Sequence, residues 1–178
     1  NKGYHLHLYT TRKKSITETR NSLYHLIDKK KIPGLIIISP LPPEDINFIK
    51  ERGIHFVVCA NYYKEIDTSY VIYDYKGATE KVCDRLYKDG MDKIGIVISE
   101  RGEEVKRSGD LISDGYEEFC KKNGLDKRVI EAGYKEKEIE IVIKKIKEER
   151  DIKGWIIGNM KVSEEILKRG IEGNFVLY

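Results

Sequence analysis

Long hydrophobic runs are missing from this chain. The longest apolar stretches, such as Leu35-Ile36-Ile37-Ile38 and Ile94-Gly95-Ile96-Val97-Ile98, fall far short of the roughly 20 residues that a membrane-spanning helix needs. The sequence therefore reads as that of a soluble protein with no membrane partner. Its start, Asn1-Lys2-Gly3-Tyr4, carries no apolar h-region and no small-residue cleavage site, so nothing in it supports export. Cysteine is scarce: Cys59, Cys83 and Cys120 are odd in number and far apart, with no second Cys or His at metal-ligand spacing. The expectation is three reduced, buried thiols in a cytoplasmic protein. Neither sign of charge dominates. Lys and Arg (33) nearly balance Asp and Glu (30), and the net charge of +3 is spread along the chain, which leaves no field to draw in nucleic acid or a membrane surface.

The signatures of catalysis and phosphate binding are also missing. None of the fifteen glycines forms G-x-G-x-x-G or G-x-x-x-x-G-K-[ST], and neither G-x-S-x-G nor H-E-x-x-H occurs. The chain is thus expected not to be an enzyme and to need no cofactor. His5 and His7 would share one face of a strand. Without a third ligand they read as strand surface, and no metal site is expected.

What is present is a rhythm. Short apolar runs alternate with amphipathic stretches from end to end, as in repeated βα units around parallel sheets. Strands are expected at His5–Tyr9, Leu35–Ile38, His55–Cys59, Tyr70–Tyr73, Ile94–Ile98, Arg128–Ile130, Trp155–Ile157 and Phe175–Leu177. Most are continuous rather than alternating, which suits sheets covered on both faces. The first helix opens on a capping box, Ser15 with Glu18, and carries Ile16, Arg20, Leu23 and Ile27 at helical spacing. A second starts near Pro43 with Ile46 and Ile49 inward and stops at Gly53; a third runs from about Ala78 to Asp89 and closes at Gly90. Asp110 to Asn123, Lys135 to Arg150 and Val162 to Arg169 repeat the pattern, with Gly124 and Gly170 as stops. The fold class is α/β, built of two lobes of parallel βα units in three layers. No low-complexity tether divides the chain, so the boundary is placed just after Asp74, giving lobes of residues 1–75 and 76–178 with a cleft between them. Ligands of open α/β sheets sit beyond the carboxyl ends of strands.

Individual residues sharpen this. Asp74 ends an apolar strand, where a carboxylate serves as ligand anchor, helix cap or phospho-acceptor. The third role wants an acidic pair at an earlier strand end, and Tyr9 and Ser39 offer only hydroxyls. The stripe Ile139, Val142, Ile143 and Ile146 makes the Lys-rich stretch 135–150 a solvated helix over a core, and Trp155 reads as packed.

The order of these segments resembles the LacI/GalR family of bacterial transcription regulators, in its periplasmic-binding-protein-like effector domain. Pro33 to Ser39 is similar to that family's "DGLIIxS" strand, Gly53 to Val58 to "GIPxVxxD", and Tyr70 to Gly77 to "VxxDNxxGA", which puts Asp74 on the family's cleft aspartate. Leu86 to Val97 resembles "LxxxGHxxIGxI", Asp114 to Phe119 "EGYxxAL", and Gly158-Asn159 with Lys168 to Ile171 "xND…xxGI". The resemblance implies a cytoplasmic homodimer that senses a small-molecule effector, a sugar or other metabolite, and contacts operator DNA through an N-terminal helix-turn-helix headpiece. On it the chain is a portion of the domain, lacking elements at both ends. Two anchors of the sugar-binding pattern are replaced: Ile112 stands where the family has its effector-gripping Arg, and Met160 where it has the Asp of "ND". A guanidinium fork and a carboxylate hold vicinal hydroxyls by paired, charge-assisted hydrogen bonds that Ile and Met cannot make. The candidate ligand-binding residues are therefore Asp74, Tyr134 at a strand end where the family often stacks an aromatic, Asn159, and Lys106 with Arg107 as replacement positive charge. A cleft selective for something other than a plain neutral sugar, or one whose response is lost, is expected. An exported sugar-binding protein of a transporter is the alternative on the same fold, and an α/β enzyme with catalytic groups elsewhere is a further one.

Overall fold

The computed structural model describes residues 16–30, 32–102 and 105–177. The expected strand His5–Tyr9, its two histidines and the capping residue Ser15 lie outside them. Six helices and nine strands follow in the order α1 (Ile16–Lys30), β1 (Gly34–Ile37), α2 (Pro43–Glu51), β2 (His55–Cys59), β3 (Tyr62–Tyr63), β4 (Tyr70–Val71), α3 (Tyr75–Lys88), β5 (Ile94–Ser99), β6 (Val105–Lys106), α4 (Ser108–Asn123), β7 (Val129–Ala132), α5 (Glu136–Glu148), β8 (Gly154–Ile157), α6 (Met160–Lys168) and β9 (Phe175–Leu177) among the described residues.

The long strands pair in parallel, as their continuous apolar runs require. One sheet has the order β1-β2-β4 and the other β7-β5-β8-β9, while β3 and β6 form a separate antiparallel pair. The second sheet is covered on both faces. Ile94, Ile96, Ile98 and Ile156 point into one core with Cys83 and Leu86 of α3 and Ile112, Tyr116, Phe119 and Cys120 of α4. Val97, Trp155 and Ile157 point the other way, against Ile139, Val142, Ile143 and Ile146 of α5 and Val162 and Ile166 of α6. Gly95 lets Trp155 lie across β5, because a Cβ there would strike the indole ring. Tyr116 is fully buried, yet its hydroxyl donates to Ile94 O (2.7 Å) and accepts from Arg128 N–H (2.8 Å).

The first sheet has one core. Ile37 and Val58 pack with Ile27 of α1, Ile46 and Ile49 of α2, Tyr63, and Val105 from the second half of the chain. Its opposite face carries Ile36, Ile38 and Val71, each about two-thirds exposed (65, 66 and 64%). The helix stops are as expected: Gly53, Gly90, Gly124 and Gly170 all have positive φ, between 56° and 87°, the left-handed turn that ends a helix and suits glycine. Most elements differ from the sequence expectation by a residue or more at their ends, and two of these differences bear on the site. The fourth strand is only Tyr70–Val71, and α3 starts at Tyr75 because Asp74 caps it. The cysteines are free, with Cys83 and Cys120 buried, but Cys59 is only half-buried, on the side of the first sheet that carries no core cluster among the described residues. No helix among the described residues is long and apolar enough to cross a membrane.

Candidate functional site

In a parallel sheet every strand delivers its carboxyl end to the same edge, and the loops leaving that edge carry the polar groups. In the second sheet this edge is marked by Ser99, the last residue of β5, and by Gly133 and Gly158, which follow β7 and β8. Ser99 Oγ lies 2.9 Å from the Tyr134 hydroxyl, and Asn159 Nδ2 lies 3.4 Å from Ser99 Oγ. Ser99, Tyr134 and Asn159 thus meet where β5, β7 and β8 end. Ser99 was not among the sequence candidates. A hydroxyl directly after the apolar run Ile94–Ile98 was the available signal.

Asn159 is fully buried. Its Oδ1 accepts the N–H groups of Lys161 (3.0 Å) and Val162 (3.2 Å), which caps α6, and its Nδ2 donates to Ala132 O (3.0 Å) and Gly133 O (3.3 Å). The amide is therefore consumed in fastening β8 and α6 to the end of β7. Tyr134 is different: 62% exposed, it shows its ring to solvent and is tethered by its hydroxyl. Met160, the first residue of α6, is also 60% exposed, whereas Ile112 is buried beneath the Gly158 backbone.

Asp74 is exposed and accepts the Gly77 N–H at 2.9 Å. Gly77 permits this, since a Cβ there would collide with the carboxylate. Lys106 is paired with Asp114 (2.7 Å) and its side chain is only 19% exposed. Arg107 is exposed, and its backbone N–H donates to the Asp110 carboxylate (2.8 Å), which closes the start of α4. Its guanidinium has no ion-pair partner among the described residues. Burial pushes the Tyr63 hydroxyl up and Asp45 adds to this, while its bond with Leu41 and the positive charge of Arg107 pull it back. Around the first sheet aromatic rings gather, with Tyr70 and Tyr73 exposed. Tyr62 stacks on Tyr70 with centroids 5.3 Å apart, and Tyr73 meets Tyr75 edge-on at 5.8 Å.

Among the described residues the arrangement offers rings, the exposed Arg107 and the exposed Asp74, the equipment of a binding surface. No three His, Cys, Asp or Glu residues among those described are placed to share a metal ion. A depression of about 440 Å³ lined by Glu80, Asp84, Glu118, Phe119, Lys121 and Lys122 lies on the outer surfaces of α3 and α4 rather than at the strand ends. It is open, charged helix surface and is not assigned a role in the site.

No protein-family model and no curated protein matches this sequence. Solved structures do. The transcription regulator CcpA of Lactococcus lactis superposes with a TM-score of 0.72 at 15% identity, over 90% of this chain and 62% of that one. A periplasmic binding protein/LacI transcriptional regulator from Alkaliphilus metalliredigens, complexed with D-xylulofuranose, gives 0.67 at 18% identity over 90% and 60%. The transcriptional regulator CelR in its cellobiose complex gives 0.70 at 13% identity over 90% and 52%. The chain spans between 52 and 62% of the length of these proteins. By this likeness the chain has the periplasmic-binding-protein-like α/β fold of LacI-type transcription regulators.

Proposed function

We propose that this chain is the effector-sensing part of a LacI-type transcription regulator. It is cytoplasmic, binds rather than catalyses, and acts as a homodimer. Two lobes, residues 1–75 and 76–178, take a small molecule between their strand ends and pass its binding to operator DNA through a helix-turn-helix headpiece. The observation that carries this reading is the fold likeness to such regulators across nine-tenths of the chain. The regulators complexed with cellobiose and D-xylulofuranose support a carbohydrate-sized metabolite as the ligand class.

Of the five candidate residues, Tyr134, Asp74 and Arg107 have exposed groups to offer. Lys106 has to leave Asp114 before it can help, and Asn159 contributes by holding the site together. With Ile112 buried beside Gly158 and Met160 exposed at the head of α6, the strand ends favour a ligand with a ring to stack and a negative charge for Arg107. A sugar phosphate or an acidic aromatic metabolite has both.

A thermal-shift screen of sugars, sugar phosphates, nucleobases and amino acids tests the ligand class. At one hundred times its Kd a ligand stabilises by about 2.7 kcal/mol, or roughly 5–10 °C for a chain of this size. The shift is expected from an anionic ligand and is expected to vanish in Arg107→Ala. Strong stabilisation by a simple hexose, lost in Asp74→Ala and kept in Arg107→Ala, overturns the anionic reading. The regulator reading is tested separately by the coding sequence adjoining Asn1: a helix-turn-helix supports it, and a secretion signal overturns it in favour of a transport protein.

A further inference from the structure

Among the described residues, the β3–β6 ribbon joins the two sheets besides the chain crossing after β4, pairing Tyr62 with Lys106 and Tyr63 with Val105. Both of its strands are built to reach it. On the side of the first sheet, Ala60 takes a left-handed conformation (φ 64°), unfavourable for a residue with a Cβ, and this turns β3 out of line with β2. Asn61, 6% exposed, holds the turn by donating from Nδ2 to Cys59 O (3.2 Å) and Ile38 O (3.3 Å). Tyr63 is pinned next to it: its hydroxyl donates to Leu41 O (2.8 Å) and accepts from Leu41 N–H (3.1 Å).

On the side of the second sheet, the chain doubles back after β5, and Gly102 allows this because a Cβ there would meet the Val105 carbonyl. The Asp110 carboxylate gathers the N–H groups of Gly102 (3.3 Å) and Arg107 (2.8 Å), and Lys106 is tied to Asp114 (2.7 Å), so the root of the strap is fixed to α4. Its tip is Val105, 7% exposed, which packs into the first core with Ile27, Ile37, Ile46, Ile49, Val58 and Tyr63. A residue belonging by sequence to the second half thus completes the core of the first.

We propose that the β3–β6 ribbon is a latch: it fixes the two sheets in one relative orientation, and they separate only when Val105 leaves the first core. Packed interiors have discrete arrangements rather than a continuous range, so the latch has a seated state and a released one. This inference does not depend on which ligand, if any, occupies the strand ends.

The test uses the whole 178-residue chain carrying Val105→Asp, whose carboxylate cannot be seated in that apolar cluster. Amide exchange of residues 61–63 and 105–107 is expected to accelerate at least tenfold and the radius of gyration from X-ray scattering to rise, with β1, β2, β5 and β8 keeping wild-type exchange. Facing residues of an antiparallel pair are close enough for a disulfide. Oxidising Tyr62→Cys/Lys106→Cys, in a Cys59→Ser background, is therefore expected to return both readouts to wild type, and reduction to release them again. Unchanged exchange and radius in Val105→Asp overturn the latch. So does a loss of protection throughout β1 and β2 that the cross-link does not reverse, which would make Val105 a core residue and nothing more. Should Val105→Asp not fold, Val105→Ala is read in the same way with about a threefold acceleration.

Discussion

Asp74 accepts the Gly77 N–H at the head of α3, and its carboxylate is also exposed beside the strand ends. Asparagine caps a helix about as well as aspartate but has no charge, which separates the two roles. Asp74→Ala is expected to cost about 1 kcal/mol of stability, some 2–4 °C in melting temperature, while Asp74→Asn melts within a degree or so of wild type. If the carboxylate anchors a ligand, both variants lose the ligand-induced shift; if it is only a cap, Asp74→Asn keeps it. The thiols sort by burial in the same way. Cys59 is half-buried, whereas Cys83 of α3 and Cys120 of α4 are buried together in the core between these helices and the second sheet. Titration of the native protein with a chromogenic disulfide is expected to consume one thiol quickly, and all three only in denaturant. Burial pushes the Cys83 thiol from its ordinary 9 up to about 12, with Cys120 adding to the effect. The folded state therefore favours the protonated thiol. That stabilisation is complete below pH 9 and is lost as pH rises toward 12, by on the order of 1.4 kcal/mol per pH unit. Urea midpoints measured across this window are expected to fall less steeply in Cys83→Ala than in wild type, even though the variant starts lower.

Among the elements, the strands of the second sheet were legible because burial on both faces writes a continuous apolar run, and Ile94–Ile98 has no other good reading. The stripe on α5 and the glycine stops were legible for an equally local reason: each is set by the residue's own backbone or by helical spacing. The β3–β6 ribbon was not, because Tyr62–Tyr63 and Val105–Lys106 are two residues long and 42 apart in sequence, and neither has a periodicity of its own. The candidate site was half legible. Tyr134 and Asn159 do converge on β5, but an asparagine before a helix also fits a cap, and the hydrogen bonds of Asn159 take that second option. The first sheet presents a further consequence. Parallel sheets ordinarily have both faces covered, yet Ile36, Ile38 and Val71 stay two-thirds exposed, a contiguous apolar surface of the kind that binds dyes and associates. The double variant Ile38→Lys/Val71→Lys is expected to bind several-fold less anilinonaphthalene sulfonate and to scatter less light at high concentration. Its urea midpoint should remain close to wild type, because the altered side chains touch little. Unchanged dye binding would place the dye's site elsewhere.

At the scale of the whole molecule, the two sheets hold unequal shares of the core. Among the described residues, the clusters on either side of the second sheet contain 11 and 10 buried residues, against 7 in the cluster of the first, one of which, Val105, is lent by the other half. Buried apolar area is the main favourable term in folding, so the first sheet should open at a lower free energy than the second, as cooperative units of unequal stability do. The sequence supplies a probe for the difference. Trp155 is the one tryptophan, 4% exposed in the core between the second sheet and α5 and α6, and its fluorescence reports that half alone. In urea, the tryptophan signal is expected to change at a higher midpoint than far-ultraviolet circular dichroism. Exchange protection of β1 and β2 should disappear before that of β5 and β8. Oxidised Tyr62→Cys/Lys106→Cys should draw the two midpoints together, because the ribbon then transmits the stability of the second sheet to the first. Coincident midpoints in the uncross-linked protein would show a single cooperative unit, in which the seven-residue core gains enough from Val105 and its latch to melt only with the rest.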